Sequence, residues 1–187
     1  MSGISLNLTK DNSLKKIEIG LGWDMIDGYK PIDLDAIAVL SSNRRVKRVV
    51  YWGDMEFKGI YLNQDDRTGN NRKDEDNECI NVDFNKLPQQ IDRISVLVNI
   101  YNPKTRLGFF KIEKENFGMV ENSYMRIVNK ETKEELCRYN LEEAGKGYTA
   151  FHVADLIRVG DNWSVKAIGE PTNGDVGELS RYIENKL

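Results

Sequence analysis

Apolar and polar residues alternate with a period of two along most of this chain. Ile4, Leu6 and Leu8 do so first, then Ile17, Ile19 and Leu21 after Lys15-Lys16, with a turn-like Thr9 to Ser13 between them. Such alternation suits a half-buried strand, one face on a core and one on water. Further strands are expected over Asp33 to Leu40, Val49 to Trp52, Ile60 to Leu62, Ile80 to Phe84 and Ile94 to Tyr101. Asn102-Pro103 stops the last of these, because proline cannot continue a ladder. Asn43-Arg44 and Gly160-Asp161-Asn162 carry turn chemistry between paired strands. Tyr124 to Val128 and Glu135 to Tyr139 read as a hairpin, and Thr149 to Arg158 with Trp163 to Ile168 as another. Leu107 to Val120 is ambiguous, with Phe117 to Val120 looking extended.

A 3.6-residue period appears at the C-terminus. Asp175 is placed to cap a helix, Glu178 to complete a capping box, and Leu179, Tyr182 and Ile183 to form its packing face. Many short strands and one terminal helix predict an all-β, antiparallel β-sandwich in a single domain, 1–187. Trp52, Val96, Val98, Ile100, Ile127, Trp163 and Val165 are its expected buried residues.

Composition narrows the function. The chain has 187 residues and a net charge of -3, and the acidic side chains are the clustered ones. Arg44-Arg45-Val46-Lys47-Arg48, its densest basic run, reads as a hairpin surface and not as a nucleic-acid footprint. No stretch approaches the roughly 18 apolar residues of a membrane span, so no stable membrane insertion is expected. Cys79 and Cys137 are the only cysteines, each in a strand-like setting, so no disulfide framework is expected and they are read as small core residues of a cytoplasmic protein. With the lone His152 they make a poor zinc set.

The candidate chemistry lies in an acidic loop, residues 65–78, where Asp65, Asp66, Asp74, Asp76, Glu75 and Glu78 stand against Arg67, Arg72 and Lys73. Carboxylates gathered so closely repel one another unless a cation holds them. The competing reading is a solvated acidic loop. Counted from Asp65 or Asp66, the loop lacks the glycine of an EF-hand at its sixth position. A site therefore has to be assembled from separate pieces: Asp24 after a strand, Asp33 and Asp35 at the start of one, and Asp66, Asp76 and Glu78 from the loop. Asp33 and Asp35 share the strand face of Ile37 and Val39, which a purely structural strand has little reason to do. Backbone carbonyls near Gly69 would complete a shell of oxygens, favouring calcium over magnesium. Arg67 is free to pair with a loop carboxylate.

These pieces occur in a recognisable order. Gly20-Leu21-Gly22-Trp23-Asp24, Ile32-Asp33-Leu34-Asp35-Ala36, Asp65-Asp66-Arg67-Thr68-Gly69, Asp76-Asn77-Glu78, Asn122 to Ile127 and Trp163 to Gly169 resemble the TerD family of tellurium-resistance and stress-response proteins across essentially the whole chain. The resemblance implies a cytoplasmic, calcium-binding β-sandwich with the metal held by acidic loops at one end. It places Asp24, Asp33, Asp35, Asp66, Asp76 and Glu78 where the family has its acidic metal-site residues. The chain departs from the pattern at Gln64 (usually glycine), Asp66 (usually asparagine) and Asn77 (the middle of an Asp-Asp-Glu trio), and at 70–75, where the family has a shorter stretch rich in glycine and aspartate.

Three function classes follow. The first expectation is a non-catalytic stress-response protein acting as a calcium-dependent interaction module for a partner protein, with Trp23, Met25 and Tyr29 as candidate apolar contacts. A calcium-dependent binder of anionic lipid is a variant of it. A metal-dependent phosphoesterase is the catalytic alternative, but no histidine or nucleophile motif stands beside the acidic segments, and neither cysteine has a visible activating partner.

Overall fold

The computed structural model describes residues 5–6, 15–26, 30–63, 65–69, 75–102, 115–141 and 145–187. The turn expected at 9–13, Tyr29, and the stretches 70–74 and 103–114 lie outside these residues. Among the described residues, twelve strands form two six-stranded antiparallel sheets. In one, the order is β1 (Ser5–Leu6), β12 (Asn162–Thr172), β11 (Ala150–Val159), β8 (Arg93–Ile100), β3 (Leu34–Ser42) and β4 (Arg45–Val50). In the other it is β10 (Glu135–Asn140), β9 (Val120–Asn129), β2 (Lys16–Met25), β7 (Glu78–Asp83), β6 (Ile60–Leu62) and β5 (Glu56–Phe57).

The alternation read from the sequence is what joins the layers. Ile17, Ile19, Leu21 and Trp23 of β2 turn inward with Ile80 and Val82 of β7, and meet Leu34, Ala36, Ala38 and Leu40 of β3 in one core. Val96, Val98, Ile100, Ile127, Trp163 and Val165 lie in that core as expected. The opposite face of β3 is also covered. Ile37 and Val39 pack with Leu97 and Ala150 beneath Leu179 and Ile183 of helix α1 (Val176–Glu184). Strands β3 and β8 are therefore buried on both faces, which explains their near-continuous apolar runs. The face that Asp35 shares with Ile37 and Val39 is the one beneath the helix, not the sandwich interior.

Local chemistry sets the ends of these elements. Asn43 and Arg44 both adopt positive φ, 50° and 60°, as a tight hairpin turn requires. Asp175 accepts from Glu178 N and the Glu178 side chain accepts from Asp175 N, closing the expected capping box. Two expectations need correction. Strand β4 ends at Val50, Tyr51 and Asp54 close a turn, and Trp52 is left 39 % exposed instead of buried. Phe117–Met119 is a short 3-10 turn capped by the Asn116 side chain, and extended structure begins only at Val120.

Candidate metal centre

The acidic loop returns to the sandwich where β3 is incompletely paired. Strand β4 joins β3 only from Ala38 onward, leaving one edge of its first residues open. Glu78, the first residue of β7, fills that gap: its Oε2 accepts from Ala36 N at 2.7 Å. Glu78 belongs to the opposite sheet, so its side chain ties the two layers at one corner. Asp35, Asp65 and Glu78 carboxylate oxygens there lie within 4.8 Å of one another. Asp33 is close enough to raise the pKa of both Asp35 and Glu78.

These carboxylates are poorly satisfied. Asp35 is 2 % exposed and Glu78 fully buried. Both oxygens of Asp35, Oε1 of Glu78 and Oδ1 of Asp33 are buried without a hydrogen-bond partner. Burial, followed by the neighbouring carboxylates, pushes Asp33 up to about 6 and Asp35 up to about 8. Burial pushes Glu78 up to about 9, against the pull of the Ala36 amide. Buried carboxylates that face one another without donors are what a bound cation relieves.

Asp66, Asp76 and Asp24 are engaged by other groups. Asp66 Oδ1 accepts from Thr68 N at 2.8 Å and Thr68 Oγ1 at 2.9 Å, and its Oδ2 accepts from Asn77 Nδ2 at 3.0 Å. Partial burial opposes ionisation of Asp66, but these donors outweigh it and hold the carboxyl below its ordinary range. Asn77 also accepts from Trp23 N at 3.0 Å, an amide displaced from the ladder by the β2 irregularity between Gly22 and Asp24. Asn77 thus donates to one group and accepts from another, which an aspartate there would not do. Gly69 has φ +61° and lies against the Trp23 indole, where a Cβ would approach Nε1 to 2.4 Å. Trp23 itself is core, its Nε1 donating to Ile32 O at 3.1 Å.

Asp76 sits at a separate place. Arg126 grips both its oxygens, Nε to Oδ1 at 2.9 Å and Nη2 to Oδ2 at 3.0 Å, and Tyr124 donates to Oδ1 at 2.9 Å. The carboxylate lies over Gly20, where a Cβ would come within 2.0 Å of Oδ2. Cys79 and Glu18 complete a group around it. Burial and Asp76 push the Cys79 thiol up to about 12, far from a reactive thiolate. Asp24 lies elsewhere again and accepts from Asn122 Nδ2 at 2.8 Å.

The histidine is part of the packing beneath α1. His152 Nε2 lies 3.0 Å from Asp155 Oδ1, and Ser95 Oγ donates to the same oxygen at 2.6 Å. The hydroxyl proton points at the carboxylate and not at the imidazole, so the three residues do not form a nucleophile-activating relay.

Residues 1–182 match the TerD domain. The chain belongs to the TerD family. It is 32 % identical over 201 residues to stress response protein SCP2 of Bacillus subtilis (strain 168), covering 97 % of this chain and 96 % of that protein. It is 30 % identical over 182 residues to tellurium resistance protein TerD of Serratia marcescens, covering 89 % and 86 %. A crystal structure of a homologue of telluride resistance protein (TerD) from Streptomyces coelicolor A3(2) superposes with a TM-score of 0.74 at 22 % identity, over 90 % of this chain and 96 % of that one, and shares the fold. The relatives are named as stress and resistance proteins, in keeping with a non-catalytic chain.

Of the residues singled out in this TerD-family sequence, the structure brings Asp33, Asp35 and Glu78 together. Asp24, Asp66 and Asp76 each have other partners, and Gly69 packs on Trp23. The group also includes Asp65, which sequence reasoning passed over. Asp66 stands two residues before Thr68, an arrangement that favours a local side-chain-to-backbone turn. That spacing was a legible signal that Asp66 serves the turn and leaves Asp65 for the cluster.

The raised values make a prediction about pH. The folded, cation-free protein holds protons on Asp35 and Glu78 more tightly than the unfolded chain, whose carboxyls titrate near 4. Their contribution is fully present below about pH 4 and is lost as pH rises toward 8–9. Urea titrations in chelator should therefore show stability falling from mildly acidic pH to pH 9. A flat profile would mean that the cluster is solvated.

Proposed function

We propose that this TerD-family chain is a cytoplasmic, calcium-binding, non-catalytic stress-response protein of the tellurite-resistance kind, and that calcium prepares one end of the sandwich for a partner protein. The observation that carries the reading is the set of buried, partnerless oxygens on Asp33, Asp35 and Glu78, with Asp65 completing the ring. Every group in it is a hard carboxylate oxygen, the donor that calcium and magnesium select. Calcium takes six to eight oxygens in flexible geometry, which suits a set drawn from two sheets and a loop better than the strict octahedron that magnesium demands.

Asp35 and Glu78 would hold the ion from opposite sheets, with Asp33 and Asp65 closing the rim. The ion supplies positive charge that neutralises mutual repulsion and pins loop 65–78 to β3. The catalytic alternative has less support, since His152 is committed to Asp155 beneath α1 and the Cys79 thiol is held protonated.

The test is a thermal melt in excess calcium and in chelator. Calcium at one hundred times its dissociation constant adds about 2.7 kcal/mol, which for a chain of this size raises Tm by roughly 5–10 °C. The chelated protein should still unfold cooperatively, because the core strands owe nothing to the site. Identical melts in the two conditions would refute the reading.

A further inference from the structure

Asp65 belongs to two arrangements at once. Its carboxylate is grouped with Asp35 and Glu78, and its Oδ2 accepts from Arg67 Nε at 2.9 Å. Arg67 reaches back only two residues to make this pair, and its side chain is 70 % exposed. An exposed ion pair contributes little, whereas a divalent ion seated among buried carboxylates meets several of them at close range. A guanidinium beside such an ion also faces like charge.

The surface next to this pair is aromatic. Tyr101 lies close enough to Arg67 for the two to be electrostatically coupled, and its backbone N donates to Asp33 O at 2.8 Å, which anchors it at the cluster. Trp52 meets Tyr101 edge to face, with ring centroids 5.9 Å apart and planes at 87°. Both rings remain about two-fifths open, Trp52 at 39 % and Tyr101 at 41 %. They sit just past the ends of β4 and β8. Exposed Trp and Tyr beside an arginine is the composition of protein-binding hot spots.

Resting on the calcium reading above, we propose that calcium and Arg67 exchange places on Asp65, and that the released Arg67 with Trp52 and Tyr101 docks a polypeptide carboxylate carried beside an apolar side chain. Charge complementarity selects this occupant. A planar guanidinium matches one carboxylate bidentately. A charged bilayer presents many anionic groups at once, and here, among the described residues of the site, it would meet Asp33, Asp65 and Asp66 around Arg67. The arrangement also makes partner binding depend on calcium: without the ion, Arg67 is held by its own loop.

The test uses the full chain and its Arg67→Gln and Trp52→Ala variants. Calcium is titrated calorimetrically, and the probe, acetyl-Phe-Asp-amide with acetyl-Phe-Asn-amide as control, is followed by NMR with calcium and with chelator. Arg67→Gln should bind calcium about threefold to tenfold more tightly, since a repelling charge is removed. The acidic probe should bind only with calcium, and about fivefold or more weakly to either variant. Trp52→Ala should keep wild-type calcium affinity. Wild type that binds calcium while Arg67→Gln binds it equally or more weakly overturns the exchange and leaves the calcium reading standing. Equal probe binding with and without calcium, or no binding of the acidic probe, overturns the docking site. So does calcium-dependent sedimentation with phosphatidylserine vesicles in place of probe binding. Wild type that takes up no calcium defeats the calcium reading itself.

Discussion

Asp35→Asn should stabilise the protein in chelator at pH 8 and abolish most of the stabilisation that calcium gives the wild type. The two effects have opposite signs and one cause. Both Asp35 oxygens are buried without a partner, and ionising the group opposes burial and the charges of Asp33 and Asp65. Asparagine removes the charge, and its amide offers a donor to neighbouring oxygens that have none. The same substitution takes a charged ligand from the proposed ion, so the gain of about 2.7 kcal/mol expected at one hundred times the dissociation constant should fall below about 1 kcal/mol. Paired melts of wild type and variant, with calcium and with chelator, give both effects. A variant less stable in chelator, with its calcium gain intact, would make Asp35 a structural carboxylate.

Asp76→Ala should do the reverse. Its carboxylate neutralises Arg126, whose side chain is only 26 % exposed, and it also holds the Tyr124 hydroxyl. Removing one partner of such a pair leaves a largely buried charge and costs about 3 kcal/mol. Glu135, 3.5 Å from Arg126, takes over only part of the role. The double variant Asp76→Ala, Arg126→Met should recover part of the loss, because it removes the stranded charge as well. The calcium-induced gain should survive in both. Urea midpoints with and without calcium test this, and a stable Asp76→Ala protein that has lost its calcium response would place Asp76 among the ligands.

The elements legible in the sequence are those whose signals are local. The strands at Ile17 to Leu21 and Ile94 to Ile100 follow from side-chain alternation and apolar runs, the Asn43-Arg44 turn from its need for positive φ, and α1 from its capping box. Trp52 was misjudged because the apolar run from Val49 continues past the last residue that β4 pairs. What ended the strand was the turn bridging Tyr51 and Asp54, to which hydrophobicity is blind. The acidic loop showed that carboxylates gather, but not which of them share a place. Asp76 is taken by Arg126, fifty positions along the chain, and no local pattern announces that pairing. Asp66 and Asn77, both departures from the family pattern, hydrogen-bond each other. Against the pattern that the resemblance implies, the charge absent at position 77 is offset by the one present at position 66.

The most direct measurement is a crystal structure of the protein soaked in calcium. The account predicts an ion among Asp35, Asp65 and Glu78, with carboxylate oxygens of at least these three at about 2.3–2.6 Å, and Arg67 withdrawn from Asp65. An empty cluster at saturating calcium, or an ion held only by Asp24, Asp66 or Asp76, would contradict it.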